Sequence, residues 1–398
     1  MPAKTRPRPR PSSATGPRDV ADIMLSWLGL GLVSCTPLQT LWAGYGHIVS
    51  ITARSPSSHE TTRLVLKLIS PPPGNDEGHL RKMLSYEVEQ EFYTTIAPSL
   101  PQNVAVAHCL ASTHDMAGRP GSENLHGVMA MLLTDLRPDF PIAGSKRGLL
   151  PPRAVYAALD WLARFHSHSA RGVEDMESYL LPPLEEADRR KKGLGGSKLW
   201  LNGGYTYLAT RRGELAELAD SDSEWNTALC SPDKEIGRNV ADAVAAVLTP
   251  RGRTSESVIH GDVKSENLFT TRAGDKVAFF DFQYVGLGLG VCDLAKLFTC
   301  SVPEEMLADS VPHLLGMQSG ERGLLERYRA TLIEKRGEGG YEWEEMVRHW
   351  ETALVDWCRF QASWGFWGNT EWLEARVRHI LADAGWRTWL KNELQYTK

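Results

Sequence analysis

Three residues able to act on one phosphate stand within His260-Gly261-Asp262-Val263-Lys264-Ser265-Glu266-Asn267. A carboxylate followed five residues later by an amide can set a hydroxyl-directed base and a metal ligand at one phosphate, as the catalytic loop of a phosphotransferase does. Lys264 can reach a phosphate in transit. Taken alone, His260-Gly261-Asp262 is equally compatible with a tight turn capped by its aspartate. The residues after Asn267 separate the two readings. Leu268-Phe269-Thr270 has strand character, Thr271-Arg272-Ala273-Gly274-Asp275 turn character, and Lys276-Val277-Ala278-Phe279-Phe280 that of a returning strand. Such a hairpin delivers Asp281 beside the loop it left, so Asp262, Asn267 and Asp281 are expected to converge. The ordered set favours the phosphotransferase loop. Asn267 and Asp281 offer the hard oxygen ligands that Mg2+ takes, and ATP with Mg2+ is the expected cofactor pair.

The chain ahead of this loop must supply the frame. With 398 residues and 42% hydrophobic content it can bury one large core or two lobes, and its length favours two. Residues 1–18, alternating Arg and Pro and then rich in Ser, Thr and Gly, read as a disordered tail. Residues 19–136 form the expected first lobe and residues 137–398 the second. An apolar helical face over 19–33 opens the first. Residues 41–51 then carry Gly44 and Gly46 into an alternating apolar run, the pattern of a strand hairpin. The glycine pair suits either backbone approach to phosphate or an ordinary hairpin turn.

Lys67 comes next, among apolar neighbours in the strand 62–69, where a lysine either snorkels to water or faces an anion. Its place after a glycine hairpin and before a helix favours the anion, because that is the order of a kinase lobe. The helix is read over 80–96, with Leu80, Leu84, Val88, Phe92 and Ile96 four apart. Periodicity leaves Glu87, Glu89 and Glu91 open as the lysine's partner. A strand over 127–133 and a polar, proline-stopped connector over 134–138 place the hinge. The second lobe begins with a helix over 154–169, and its remainder after Asp293 reads as all helical. Trp343, Trp350, Trp357 and Trp364 recur every seven residues, a stripe expected to pack helices more than to hold a ligand.

A formal charge of -5 and a pI near 6.2 leave no polycationic footprint, so no nucleic-acid partner is expected. The six cysteines contain no C-x-x-C pair and fit a reducing cytoplasm. The apolar run 23–33 behind a basic stretch resembles a signal peptide, yet a helix at the edge of the first lobe explains the same residues. It is too short to cross a bilayer, and no stable membrane insertion is expected.

His260-Gly261-Asp262 through Asn267, then Phe280-Asp281-Phe282-Gln283, then Gly288-Leu289-Gly290-Val291-Cys292-Asp293-Leu294-Ala295 resemble the aminoglycoside phosphotransferase and choline kinase superfamily, nearest its choline-kinase-like and ecdysteroid-kinase-like branch. The match is strong over 258–298, moderate in the first third and faint after Pro303. It implies an α+β, protein-kinase-like two-lobe fold, with a small β-rich first lobe and a larger, mainly helical second. It implies Asp262 as base, Lys264 at the transferring phosphate, Asn267 and Asp281 on Mg2+, and Lys67 on the ATP phosphates. The family's Glu-x-x-Phe-Tyr falls on Glu89, which is chosen to hold Lys67 with Glu91 in reserve. Gly44 and Gly46 fall at the nucleotide-covering loop, and Leu133 to Arg137, with Leu133 and Asp135 in a Leu-x-Asp-Leu-like element, near adenine. Asp293 is implied to accept hydrogen bonds from the catalytic-loop backbone. Leu162-Ala163-Arg164-Phe165-His166 is similar to the family's Leu-Ala-x-x-His element, and His166 is given no chemistry.

Three departures from protein kinases bear on the substrate. Gly261 stands where many carry arginine, Gln283 replaces the glycine of Asp-Phe-Gly, and no Ala-Pro-Glu comes after Asp293. A small hydroxylated acceptor is therefore expected, with choline, ethanolamine, aminoglycosides, steroids and sugars all open. The alternatives are a catalytically silent kinase-like protein that binds a nucleotide or a partner, and a metal hydrolase using Asp262 and Asp281. The hydrolase lacks a second His-rich cluster.

Overall fold

β-branched and alternating apolar residues crowd the first third of the chain, and longer helical patterns fill the rest. The computed structural model describes residues 16–168, 176–336 and 341–397, so most of the expected tail lies outside the described residues. The chain divides into two compact units, one running to Gly74 and including His108–Asp135, the other Asn75–Ala107 with Leu136–Lys398.

The first unit opens with α1 (Pro17–Ser26), which has Pro17 at its first position and an Asp19 carboxylate accepting from the Gly16 N–H at 3.3 Å. The helix expected over 19–33 stops early. Gly29, at φ 67°, ends it in a turn, and the apolar residues beyond enter the edge strand β1 (Gly31–Thr40). The antiparallel sheet adds β2 (Gly46–Arg54), β3 (Thr61–Ile69), β4 (Cys109–Ser112) and β5 (Met129–Thr134), in the order β1-β2-β3-β5-β4. Val49, Ile51 and Ala53 of β2 and Leu64, Leu66 and Leu68 of β3 form one core with Val20, Ala21, Met24 and Leu25 of α1. The two-residue period puts them on one face.

The second unit begins with α2 (Glu77–Glu91), capped by Asp76 on the His79 N–H at 2.7 Å and continued by a π turn, Phe92–Ile96. This helix, expected in the first lobe, groups with the helical unit for identifiable reasons. Glu87 pairs with Arg190 at 2.8 Å, and the Phe92 ring stacks on Phe282 with centroids 3.8 Å apart. Then come α3 (Pro152–His168), α4 (Pro183–Lys191), α5 (Arg212–Ala219) and α6 (Val240–Leu248). Short strands surround the catalytic-loop sequence: β6 (Ile142–Ala143), β7 (Glu256–Ile259), β8 (Leu268–Thr270), β9 (Val277–Phe279) and β10 (Gly286–Leu289). β8 and β9 pair antiparallel as the hairpin expected from the sequence, and β7 pairs with β10. α7 (Val291–Ser301), α8 (Ser319–Arg336), α9 (Trp343–Trp364), α10 (Thr370–Ala382) and α11 (Ala384–Glu393) complete the unit. The tryptophan stripe lies on α9, with Trp350 fully buried and Trp364 54% exposed at the helix end, so the packing role belongs to its middle.

Candidate active site

α7 positions the loop through Asp293, whose carboxylate is fully buried. Its Oδ2 accepts the His260 N–H at 2.7 Å and its Oδ1 the Gly261 N–H at 2.9 Å. His166 Nε2 lies 3.2 Å from the same carboxylate, and His166 Nδ1 2.8 Å from the Tyr328 hydroxyl. His166 is thus a structural link, as its lack of assigned chemistry implied. Burial raises the Asp293 carboxyl's pKa and the His166 contact lowers it, with the net effect downward. An ionised, saturated acceptor therefore holds two consecutive loop amides.

Gly261 has φ 84°, and a Cβ there would strike the Tyr284 carbonyl and lie 2.8 Å from the Gly204 nitrogen. A side chain is excluded by geometry as well as by torsion. His260 braces the loop from inside. Its Nδ1 accepts the Asp262 N–H at 3.3 Å and its Nε2 donates to the Phe280 carbonyl at 3.0 Å. Burial lowers its pKa, favouring the neutral ring that this pairing needs.

The loop, so braced, brings Asp262, Lys264 and Asn267 together. Asn267 Nδ2 donates to the Asp262 carbonyl at 2.8 Å and to Asp262 Oδ2 at 3.1 Å, while the Phe280 N–H donates to the Asn267 carbonyl at 3.0 Å. The last bond ties the residue before Asp281 to the loop. Lys264 Nζ lies 3.1 Å from Asp262 Oδ2 and 3.0 Å from Glu266 Oε1. Burial pushes the Asp262 carboxyl's pKa up, but the Lys264 and Lys296 ammonium groups outweigh it and hold the group below its ordinary value. Lys264 is desolvated too, yet Asp262 and Glu266 raise its pKa above the usual lysine value. Asp262 remains 18% exposed, so the carboxylate reaches the surface of the site.

Asp281 sits at φ 65°, a left-handed conformation that costs a non-glycine residue energy. Gln283 Nε2 donates to its Oδ1 at 2.7 Å, and Ser85 Oγ donates to Gln283 Oε1 at 3.2 Å. The glutamine read from sequence only as a departure therefore orients the metal-ligand candidate. The donor set suits Mg2+. Both side-chain hydrogen bonds of the Asn267 amide among the described residues run through its nitrogen, its oxygen is a hard acceptor, and a carboxylate stands at Asp281. Two hard oxygens with phosphate oxygens and water are what this ion takes. No group of three or more His, Cys, Asp or Glu suited to a metal ion occurs among the described residues.

Glu87, Glu89 and Glu91 differ in environment. Glu87 is 41% exposed and paired with Arg190, Glu91 Oε1 accepts the Thr95 hydroxyl at 3.2 Å, and Glu89 is 2% exposed. Glu89 is thus buried, and Glu87 is exposed. In the sheet unit, Lys67 is 6% exposed on β3, in register with Ile48 and Met131. Leu133 lies on β5 opposite Val65, and Asp135 comes just after the strand. Gly46 is forced by packing, since a Cβ would meet the Leu68 carbonyl. Gly44, at φ 74°, donates its N–H to the Leu41 carbonyl at 3.0 Å and so closes the turn between β1 and β2.

Sequence reasoning missed Lys296. It is 5% exposed on α7 and its Nζ donates to the Gly261 carbonyl. A lysine three residues after Asp293 inside Leu294-Ala295-Lys296-Leu297-Phe298 was the available signal, since that face of the helix can only be buried.

The sheet-bearing unit and the helical unit with its braced loop have the α+β, protein-kinase-like two-lobe fold. The chain belongs to the ecdysteroid kinase-like family, which matches residues 46–317. It is also similar to a macrolide 2'-phosphotransferase type I, at 14% identity and TM-score 0.42 over 96% of this chain and 98% of that one. An ethanolamine kinase of Plasmodium vivax matches at 11% identity and TM-score 0.40, over 93% of this chain and 82% of its own. A choline kinase from Cryptosporidium parvum Iowa II matches at 11% and 0.39, over 93% and 91%. No curated protein matches the sequence.

Proposed function

We propose that the protein transfers the γ-phosphate of ATP, with Mg2+, to the hydroxyl of a small molecule. The observation that carries this reading is the joining of Asp262, Asn267 and the strand end before Asp281 by direct hydrogen bonds, on a loop held by buried Asp293. Asp262 accepts the proton of the acceptor hydroxyl, a task suited to a carboxylate kept ionised by neighbouring ammonium groups. Asn267 fixes that carboxylate's rotamer through Nδ2 and would offer its oxygen to the metal. Asp281, oriented by Gln283, would be the second metal ligand. Mg2+ held there neutralises charge on the phosphate being transferred. Lys264, 3.1 Å from Asp262 Oδ2, screens the same charge.

In this reading Lys67 holds the nucleotide phosphates, Glu89 holds Lys67, the turn at Gly44 and Gly46 covers the nucleotide, and Leu133 to Arg137, with Leu133 and Asp135, lies near adenine. The acceptor is a small hydroxylated molecule, and neither nucleic acid nor membrane insertion has a part. No helix among the described residues is long and apolar enough to cross a membrane. Six free cysteines suit a cytoplasmic setting. The test is ATP consumption with Mg2+ across a panel of choline, ethanolamine, aminoglycosides, sterols and sugars, beside a thermal shift with ATP and Mg2+. Turnover on one class and a shift reduced by Lys67→Ala are expected. A shift without turnover on any alcohol makes the protein a silent nucleotide binder, and no shift at millimolar ATP removes the nucleotide site.

A further inference from the structure

Behind the catalytic loop, the helical unit holds a cavity of about 420 Å³ bounded by residues 202–209 and by α6, α7 and α9. Its size is that of a small-molecule site. The alanines 245, 246 and 353 and the ring of Trp357 give it apolar walls. Lys296 supplies a buried cation. Its Nζ stands 5.9 Å from the Trp357 ring centroid and donates to the Gly261 carbonyl, and among the described residues it forms no ion pair with a carboxylate.

An ammonium carries three donors, and one is used. Burial of such a group without acceptors for the others is unfavourable. The cavity's two carboxylates make no ion pair with Lys296 among the described residues and are held by arginines instead. Asp242 pairs with Arg212 and accepts from Asn239 Nδ2 at 2.8 Å, and Asp356 Oδ1 accepts from Arg359 Nε at 3.0 Å and from its Nη2 at 2.8 Å. Arg212, 58% exposed, adds a cation at the rim. The Lys296 ammonium thus has an unsatisfied demand for acceptor oxygen, and among the described residues it is a cation without an ion pair where a positively charged ligand would have to lie.

We propose that this cavity binds a small amphipathic molecule which presents a carboxylate or similar oxyanion to Lys296 and an apolar body to Trp357 and the alanine wall. Positively charged molecules of the same shape are rejected. Occupancy bears on the catalytic loop through one residue: Asp293 holds the Gly261 N–H and Lys296 holds the Gly261 carbonyl, both from α7, immediately before Asp262. The site stands independently of the phosphotransfer reading, since it is defined by binding alone.

The test is isothermal titration of the full chain with three probes sharing one body: 4-phenylbutanoate, its amide and 4-phenylbutylamine. The acid is expected to bind at least about tenfold more tightly than the amine, with the amide between them. Lys296→Met should remove that preference, and Ala246→Phe, which fills the cavity from a half-exposed position, should abolish binding of all three. Unfolding midpoints establish that each variant is folded, and if Lys296→Met is not, the Ala246→Phe result decides. The proposal is overturned if the amine binds as tightly as the acid, if neither binds at millimolar concentration, or if Ala246→Phe leaves the acid's affinity unchanged.

Discussion

Two buried ionic clusters in the helical unit are built from the same chemistry and differ in what they hold. In the first, Asp293 accepts from the backbone of His260 and Gly261 and contacts His166. In the second, Glu321 Oε1 accepts from Trp350 Nε1 at 2.7 Å and from Arg376 Nε at 3.1 Å, and Arg376 Nη1 donates to the Leu315 carbonyl at 2.8 Å. Glu321, Trp350 and Arg376 are all at 0% exposure. Asp293 thus uses its charge on the amides of a loop whose outer face carries Asp262. Glu321 uses its charge on side chains of packed helices and leaves nothing facing out. A buried carboxylate is a positioning device only when its partners belong to a segment that could otherwise relax. The left-handed torsions at Gly261 and Asp281 mark that segment here.

The comparison breaks most sharply at the closed cluster. Arg376→Met leaves Glu321 buried without its cation and should lower unfolding free energy by about 3–5 kcal/mol in denaturant titration. The folded fraction should keep its ATP and Mg2+ thermal shift. A loss near zero means that Glu321 is protonated in the fold, a direction burial already pushes it, and that the pair is not ionic.

At the open cluster the larger effect is kinetic. Asp262→Asn keeps size and most hydrogen-bond geometry, so turnover should fall by about two orders of magnitude or more while ATP affinity and unfolding midpoint stay near wild type. Asp281→Asn should weaken Mg2+-dependent nucleotide binding and turnover together. Titration of both variants across Mg2+ separates the roles, and rescue of Asp262→Asn by excess Mg2+ would exchange them.

The two clusters were unequally visible in the sequence. The loop, its hairpin and Asp281 could be read because they are nearly contiguous, and a period-two strand pair fixes where the second aspartate returns. Glu321, Trp350 and Arg376 lie on three helices, each with an ordinary reading as a helix charge or core aromatic, and only tertiary packing joins them. The same limit hid Gln283 with Ser85, 198 residues apart, and Lys296. Strand β1 was missed for a local reason. Its apolar residues continue those of α1, and helical periodicity cannot show that Gly29 turns the chain between them.

Titration gives an effect that appears only as the pH is lowered and that sets the helical tail against the loop. His349 is 2% exposed, with Nδ1 2.6 Å from the Tyr341 hydroxyl. Burial, then the Arg253 and Arg251 charges, lower its pKa from 6.5 to about 3. The unfolded chain takes up that proton below pH 6.5 and the folded chain resists it to about pH 3. The stability contributed is therefore complete above 6.5 and is lost as pH falls from 6.5 toward 3, at about 1.4 kcal/mol per pH unit. His349→Gln, which can still accept from Tyr341, should flatten this decline in urea unfolding. An unchanged slope would assign the decline to another group.

Asp262 shows the opposite sign, and its effect is the smallest. A carboxyl with a depressed folded pKa is ionised throughout the neutral range, and its contribution disappears only as pH falls below the ordinary 3.8 through the folded value. Wild-type kcat/KM should thus show no acid limb from Asp262 between about pH 5 and 8. Lys264→Met removes the ammonium 3.1 Å from that carboxylate, while Lys296 and the burial remain. The upward push of burial then meets less opposition, and the acid limb of kcat/KM should move to higher pH, apart from any uniform loss due to a missing phosphate contact. A uniform loss with an unmoved limb would confine Lys264 to the phosphate and leave Lys296 as the cation that keeps the base ionised.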